Sequence, residues 1–281
     1  MGKSIKMKNG LGVNMGSLNA DFEKSPEKVL RDLAEIGYRG VEVTMPLPMA
    51  NKDFVKLSKE INVVPISIHA WPPGGEEQNQ KFIDFAKEIN CDKIVFGSFH
   101  PDKLKSAEDY KVSAEAFNKV GRQSAKAGVQ TLYHNHHWEF QKHGGVRGID
   151  VLMANTDPEL VSFEIDMCWL TVGGGDPVEF LKKNEKRVKL IHYKDIIINE
   201  GYNKKDGFAK DGIIKEDGYS LKDGAFALAE AGTGVVDFKK IYETVNPKYV
   251  EWLISEQDNS TIPPMETAKI NYNNYVKLGV I

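Results

Sequence analysis

The sequence predicts one α/β domain folded as a closed (β/α)8 barrel, spanning residues 1–281 with a long loop at about 196–236. Short β-branched runs alternate with stretches of helical period almost from end to end, and eight such strand runs can be counted. The runs are nearly continuously apolar, as strands covered on both faces must be. A doubly wound open sheet is the alternative. Against it, no GxGxxG stands at a strand-to-helix turn, and Gly173-Gly174-Gly175 lacks the spaced third glycine.

Gly12-Val13-Asn14-Met15 forms the first strand. Ser25-Pro26-Glu27 opens a helix, with a hydroxyl at the N-cap and proline where its missing N–H costs nothing. Leu30, Leu33, Ala34 and Ile36 supply its buried face, and Gly37 and Gly40 close it before the strand Val41 to Thr44. The same unit recurs as Val63 to His69, a helix from Gln78 to Ile89, and Lys93 to Gly97. A helix from about Ser106 to Lys126 follows, opened by a Ser106/Asp109 capping box. Then come Val129 to His134, a short helix near Asp150 to Ala154, Leu160 to Asp166, a helix from Pro177 to Lys186, and Val188 to His192. Phe238 to Thr244, Glu251 to Glu256 and a helix after Pro264 complete the chain. Ile196 to Val236, rich in Gly, Lys and Asp, is the irregular segment; loops of that length are functional or disordered.

Composition narrows the function. With 37 Lys+Arg against 40 Asp+Glu, the net charge of −3 is spread along the chain and leaves no basic stripe for nucleic acid. No apolar run is long enough to span a membrane, and the N-terminus lacks the apolar core of a secretory signal. Cys91 and Cys168, without metal-type spacing, read as buried thiols in a reducing cytoplasm.

Barrel active sites are built at the C-terminal ends of the strands. Here those ends carry His69-Ala70-Trp71, His134 through Glu139, Asp166, His192-Tyr193-Lys194-Asp195, and Glu256-Gln257-Asp258. Each has an ordinary reading alone: Asp166 as a helix cap, His192 as a satisfied core histidine, Lys194 and Asp195 as an ion pair. Their coincidence at one end of four successive strands points instead to a metal site. Two Glu, one Asp and one His form a hard, oxygen-rich set suited to Mn²⁺ first, with Mg²⁺, Co²⁺ or Zn²⁺ as alternatives. Trp71, Trp138 and Trp169 stand beside the same ends, where indoles line the C–H faces of a sugar or serve as rim packing.

At these residues the chain resembles the xylose isomerase-like barrel superfamily, in particular its sugar phosphate isomerase/epimerase group, which includes inosose dehydratases and ketose 3-epimerases. The carriers are Gly40-Val41-Glu42, Tyr133-His134-Asn135-His136 with Glu139-Phe140, Phe163 through Trp169, His192 through Asp195, Gly232 through Phe238, and Ser255 through Asp258. The resemblance implies one divalent metal held by Glu139, Asp166, His192 and Glu256, with His134 or His136 as the alternative to Glu139.

It also implies proton transfer next to a carbonyl, with the metal stabilising an enediolate. Glu139 and Glu256 act as base and acid; His69, His136 and Lys194 orient oxygens or protonate a leaving group; His134 and the three tryptophans contact substrate. Isomerisation or epimerisation is the first expectation, with elimination from a keto-sugar, inosose or keto-glycoside as the alternative. An endonuclease-IV-like phosphodiesterase is disfavoured by charge, and a non-catalytic carbohydrate-binding subunit by the intact ligand set. Only five arginines are present; Arg147 near the mouth and the Gly173–Gly175 run before a helix are the features that suit phosphate, so an unphosphorylated carbohydrate is favoured. A homo-oligomer or a partner subunit is compatible with the sequence.

Overall fold

The computed structural model describes residues 9–199, 224–258 and 260–281. Eight parallel strands close on themselves: β1 (Leu11–Asn14), β2 (Gly40–Val43), β3 (Val64–Ala70), β4 (Lys93–Gly97), β5 (Gln130–His134), β6 (Val161–Asp166), β7 (Val188–Tyr193) and β8 (Trp252–Ser255). Each strand pairs with its sequence neighbours, and β1 closes the ring on β8 with Val13 opposite Ser255. The barrel expected from the alternation is therefore the one observed, and the open sheet is not.

Inside the barrel the chain reads with period two. Ile66, Val95, Leu132, Leu190, Trp252 and Ile254 form an apolar plug separate from the outer core. Gly12 and Gly40 leave it room: a Cβ on Gly12 would lie 2.2 Å from the Ile66 Cδ1 methyl. Two residues further along the strands the side chains turn polar, Leu132 giving way to His134, Leu190 to His192, Ile254 to Glu256, Gly40 to Glu42 and Gly12 to Asn14. The floor excludes water, and the layer above it is the site. The outward faces pack on the surrounding helices through one large cluster that includes Leu30, Phe54, Phe96, Phe117, Phe163 and Tyr275.

The helices follow their local signals except at Ser25, at Asn51–Ile61 and at Met167–Val172, a short helix capped by Asp166. Ser106 caps Ala107–Ala125 as expected, accepting from the Asp109 N–H at 3.2 Å while its hydroxyl donates to the Asp109 carboxylate at 2.8 Å. Ser25 makes no side-chain cap, because a preceding helix, Asn19–Lys24, runs directly into Pro26–Ile36 and the Ser25 N–H already bonds to the Asp21 carbonyl. A further helix, Asn51–Ile61, joins β2 to β3; Phe54 and Leu57 give it a buried face, and Asn62 ends it in the left-handed region. Cys91 and Cys168 are free and buried, and among the described residues no helix is long and apolar enough to cross a membrane.

The long segment after β7 begins as a ribbon in which Asp195–Ile198 pairs antiparallel with Phe226–Ala229. Residues 200–223, where the expectation of a closing loop or partner contact chiefly falls, lie outside the described residues. Asp195 does not pair with Lys194. Its buried carboxylate accepts the backbone N–H groups of Ile196, Gly232 and Gly234 at 2.9 Å and of Val236 at 3.1 Å, tying Gly232–Val236 to the start of the ribbon just after β7.

Asp195→Ala strands several of those N–H groups. Its expected cost is about 2–4 kcal/mol in urea unfolding, with earlier proteolysis near Gly232–Val236. Unchanged stability and cleavage would show that the tie is redundant.

Candidate active site

His192, at the end of β7, is the centre of the polar layer and is fully buried. Its Nε2 lies 2.9 Å from Glu42 Oε1 and 3.1 Å from Glu164 Oε2, and its Nδ1 lies 2.9 Å from Glu256 Oε2. Glu42 is held by Asn14 Nδ2 and Ser67 Oγ, both at 2.6 Å, and by His69 Nδ1 at 3.2 Å. Glu164 Oε2 is 2.9 Å from His134 Nδ1. On the Glu256 side, Lys194 Nζ reaches Glu256 at 2.7 Å, Asp258 at 2.8 Å and Asp166 at 3.3 Å. The other oxygen of Asp166 accepts the Trp169 N–H at 2.8 Å, so this residue is both a helix cap and a member of the site.

Two sets of side chains bring potential ligand atoms within 4.8 Å of one another: His69, His134, Glu164 and His192, and Asp166, His192 and Glu256. The arrangement thus gathers Asp166, His192 and Glu256 with His69, His134 and Lys194. It does not gather Glu139, which the resemblance makes a ligand. Glu139 sits in a 3-10 turn, Trp138–Phe140, five residues beyond the end of β5. There its buried carboxylate accepts the Tyr133 hydroxyl at 2.7 Å and the His136 N–H at 2.9 Å. The turn folds it back under the loop instead of into the barrel mouth.

Glu42 and Glu164 were not singled out as site residues. Glu164 had a readable signal, since it shares the inward face of β6 with Asp166 at spacing two. Glu42 stands alone in an apolar strand, and only barrel closure reveals its partners.

The charges are strongly coupled. Burial opposes an imidazolium at His192, but Glu164, Glu256 and Glu42 together lift its pKa well above the ordinary range. Burial and the Glu42 charge push Glu164 up to about 8. Burial disfavours ionised Glu42, yet His192 and His69 hold it well below the usual carboxylate range. Burial likewise opposes ionised Glu256, and Lys194 and His192 overcome it; Asp166 is raised by burial to about 6. Lys194 stays protonated, because Glu256, Asp166 and Asp258 outweigh its own burial. Burial and neighbouring His192 keep His134 neutral, and burial with Lys194 holds His136 down to about 3. His136 Nδ1 is 3.0 Å from Ser98 Oγ, and its ring stacks on Trp138 with centroids 4.2 Å apart.

Lys194 Nζ lies 5.0 Å from the Trp169 ring centre. Trp71, the residue after β3, is 78% exposed. The two phosphate-type features do not form a cradle. The N–H groups of Gly173, Gly174 and Gly175 are spent closing the preceding helix turn, and a Cβ on Gly173 would come within 2.5 Å of the His137 carbonyl. Arg147 is paired to Asp150 at 3.0 Å.

The donor chemistry fits a divalent cation: imidazole nitrogens and carboxylate oxygens converge in a buried layer, where Glu164 Oε1 and Asp166 Oδ2 accept no hydrogen bond. Fold and site define a barrel enzyme of the xylose isomerase-like class. The model of the xylose isomerase-like TIM barrel family matches residues 30–273, and the chain belongs to that family. Among curated proteins it is 29% identical to an inosose dehydratase from Clostridium botulinum, covering 99% of this chain and 98% of the relative. Among solved structures it resembles a sugar phosphate isomerase/epimerase from Parabacteroides distasonis, with a TM-score of 0.72, 23% identity and coverage of 98% and 96% of the two chains. It also resembles the IolI protein solved with a bound zinc atom, with a TM-score of 0.71, 13% identity and coverage of 96% and 97%.

If Glu139 props the β5 loop, Glu139→Gln retains the wild-type metal content. Burial has raised this carboxyl from about 4.5 to about 7, so the folded state binds the proton more tightly than the unfolded chain. Its contribution is present below about pH 4.5 and lost as pH rises through about 7. The Gln variant should therefore gain stability relative to wild type across that window, by up to about 3 kcal/mol. Parallel urea titrations at pH 4.5 and 8 check this, and a pH-independent difference would disprove it.

Proposed function

We propose that the protein is a divalent-metal-dependent dehydratase that removes water from an unphosphorylated polyhydroxy ketone, an inosose or a related keto-sugar. The observation that carries the reading is the similarity, across nearly the whole of both chains, to a protein named inosose dehydratase. That similarity favours elimination over the isomerisation or epimerisation first expected from the sequence. The engaged Gly173–Gly175 amides and the Arg147–Asp150 pair support an unphosphorylated substrate.

A divalent cation held in the layer around His192 would polarise the substrate carbonyl and so acidify the neighbouring C–H. Zinc in the IolI protein supports a divalent ion of this kind; Mn²⁺ is the choice made from the oxygen-rich donors. The chain supplies the proton traffic. His136 is neutral, anchored through Nδ1 to Ser98 and stacked on Trp138, and its other nitrogen is suited to take the α proton. The C–H electron pair becomes the new carbon–carbon double bond as the β C–O bond breaks. Lys194, fixed as an ammonium by Asp166, Glu256 and Asp258, donates the proton that lets hydroxide leave as water. Trp169 and Trp138 flank these two groups and offer apolar faces to the sugar ring.

Matched inososes and keto-sugars, with and without phosphate, should be incubated with the Mn²⁺-loaded protein and their products weighed by mass spectrometry. The expected product is lighter by one water and absent after chelation. His136→Asn should lower kcat about 100-fold or more. A product isomeric with its substrate would sink the dehydratase reading, and preference for the phosphorylated members would sink the substrate class.

A further inference from the structure

A cleft opens beside Lys194, between the ribbon strand Phe226–Ala229 and the loop that follows β8. Both of its walls start at the ammonium group. One begins with Trp169, whose ring centre is 5.0 Å from Lys194 Nζ, and continues through Phe226 to Leu228; the two aromatic rings meet edge to face with centres 6.3 Å apart. The other begins with Asp258, whose Oδ2 is 2.8 Å from the same Nζ, and continues to Ser260. Glu230 stands at the end of the ribbon strand and completes the lining. The cleft has a volume of about 540 Å³, within the range of about 300–1,000 Å³ that small-molecule sites occupy. Departure of water from the group next to Lys194 leaves all of this space unused.

The lining selects the chemistry of an occupant. Among the described residues it holds two carboxylates, Glu230 and Asp258, and no lysine or arginine, so a phosphate or a carboxylate would meet like charge. A cation would face the Lys194 ammonium, which already pairs with Asp258 and lies over Trp169. A wholly apolar group would strip water from the two carboxylates without replacing its hydrogen bonds. A neutral sugar ring suits both walls: its C–H face covers Phe226 and Leu228, and its hydroxyls donate to the carboxylates. Ser260 Oγ accepts from the Thr267 hydroxyl at 2.8 Å and from the Ile262 N–H at 3.2 Å, which leaves its own proton to donate to a sugar oxygen.

Resting on the elimination from a keto-sugar argued above, we propose that this cleft is a subsite for a second, neutral sugar ring, so that the substrate is a keto-sugar in glycosidic linkage and not a single free ring. The ketone ring occupies the polar layer around His192, and the linked ring extends past Lys194 along Phe226 and Leu228. Trp169 borders both rings, which makes it the divide between the reacting part of the substrate and the part that only binds.

Cellobiose oxidised to the ketone at one ring hydroxyl, and methyl glucoside oxidised in the same way, are the two probes. In saturation-transfer NMR on the full wild-type chain, freed of metal by chelation, saturation should reach the unoxidised ring of the keto-disaccharide. Saturation confined to the ketone ring, or none at all, overturns the subsite without recourse to a variant. With the Mn²⁺-loaded enzyme, Phe226→Ala and Glu230→Gln should each raise KM for the keto-disaccharide about 10-fold and leave KM for the one-ring ketone at the wild-type value. Equal effects on the two ketones, or no effect on either, also overturn it. Turnover of the one-ring ketone with no gain from the second ring refutes the subsite and leaves the elimination reading standing. Turnover of neither ketone removes that reading, and the saturation pattern still decides the cleft.

Discussion

The contact of the His192 imidazole with carboxylates from β2, β6 and β8 is the constraint on which the rest of the molecule turns. Glu42 and His192 are 150 positions apart in sequence, and only a sheet that closes on itself brings them within 2.9 Å. Closure of β1 onto β8 completes the ring that holds both. In the other direction, several buried acidic groups in one layer are tolerable only where each meets an imidazole, an ammonium or a cation. Architecture and chemistry specify each other at this point.

Beneath that layer the apolar floor has a second effect besides packing. It fixes Leu132, Leu190 and Ile254 in place, and so fixes the strand positions two residues on, where His134, His192 and Glu256 begin. A functional side chain carried on a rigid strand is placed more precisely than one on a loop. The dry floor also lowers the local dielectric, which strengthens every pairing above it. The wide separation between protonated Lys194 and neutral His136 grows from this environment: two basic groups take opposite roles because one is surrounded by carboxylates and the other rests on an indole.

The fold was legible because strand period and helix caps are local. The Ser106/Asp109 box and the apolar runs at Lys93 to Gly97 and Val188 to His192 needed no tertiary information. The helix Asn51–Ile61 carries a weak local signal, since it follows the proline-rich stretch after β2 and has few apolar residues beyond Phe54 and Leu57. At the site, Asp166, His192 and Glu256 stood out because they end their strands. Glu42 was hidden, since one acidic residue in a four-residue strand has no periodic partner. Glu139 lies apart from these groups for the opposite reason: the sequence places it near the mouth, and the turn at Trp138–Phe140 sets its carboxylate against the Tyr133 hydroxyl. Direction along a strand is encoded in spacing, whereas direction after a strand depends on the turn that follows.

The ties around Asp195 bear on how this barrel can change. Asn199 bonds to the Ala225 and Gly224 carbonyls, and Asp195 anchors Gly232 to Val236, so both are tied to the short stretch that directly follows the strand carrying His192. Load applied beyond Asn199 therefore meets the ribbon and the Asp195 tie before it reaches β7, and the reacting groups a few residues upstream keep their positions.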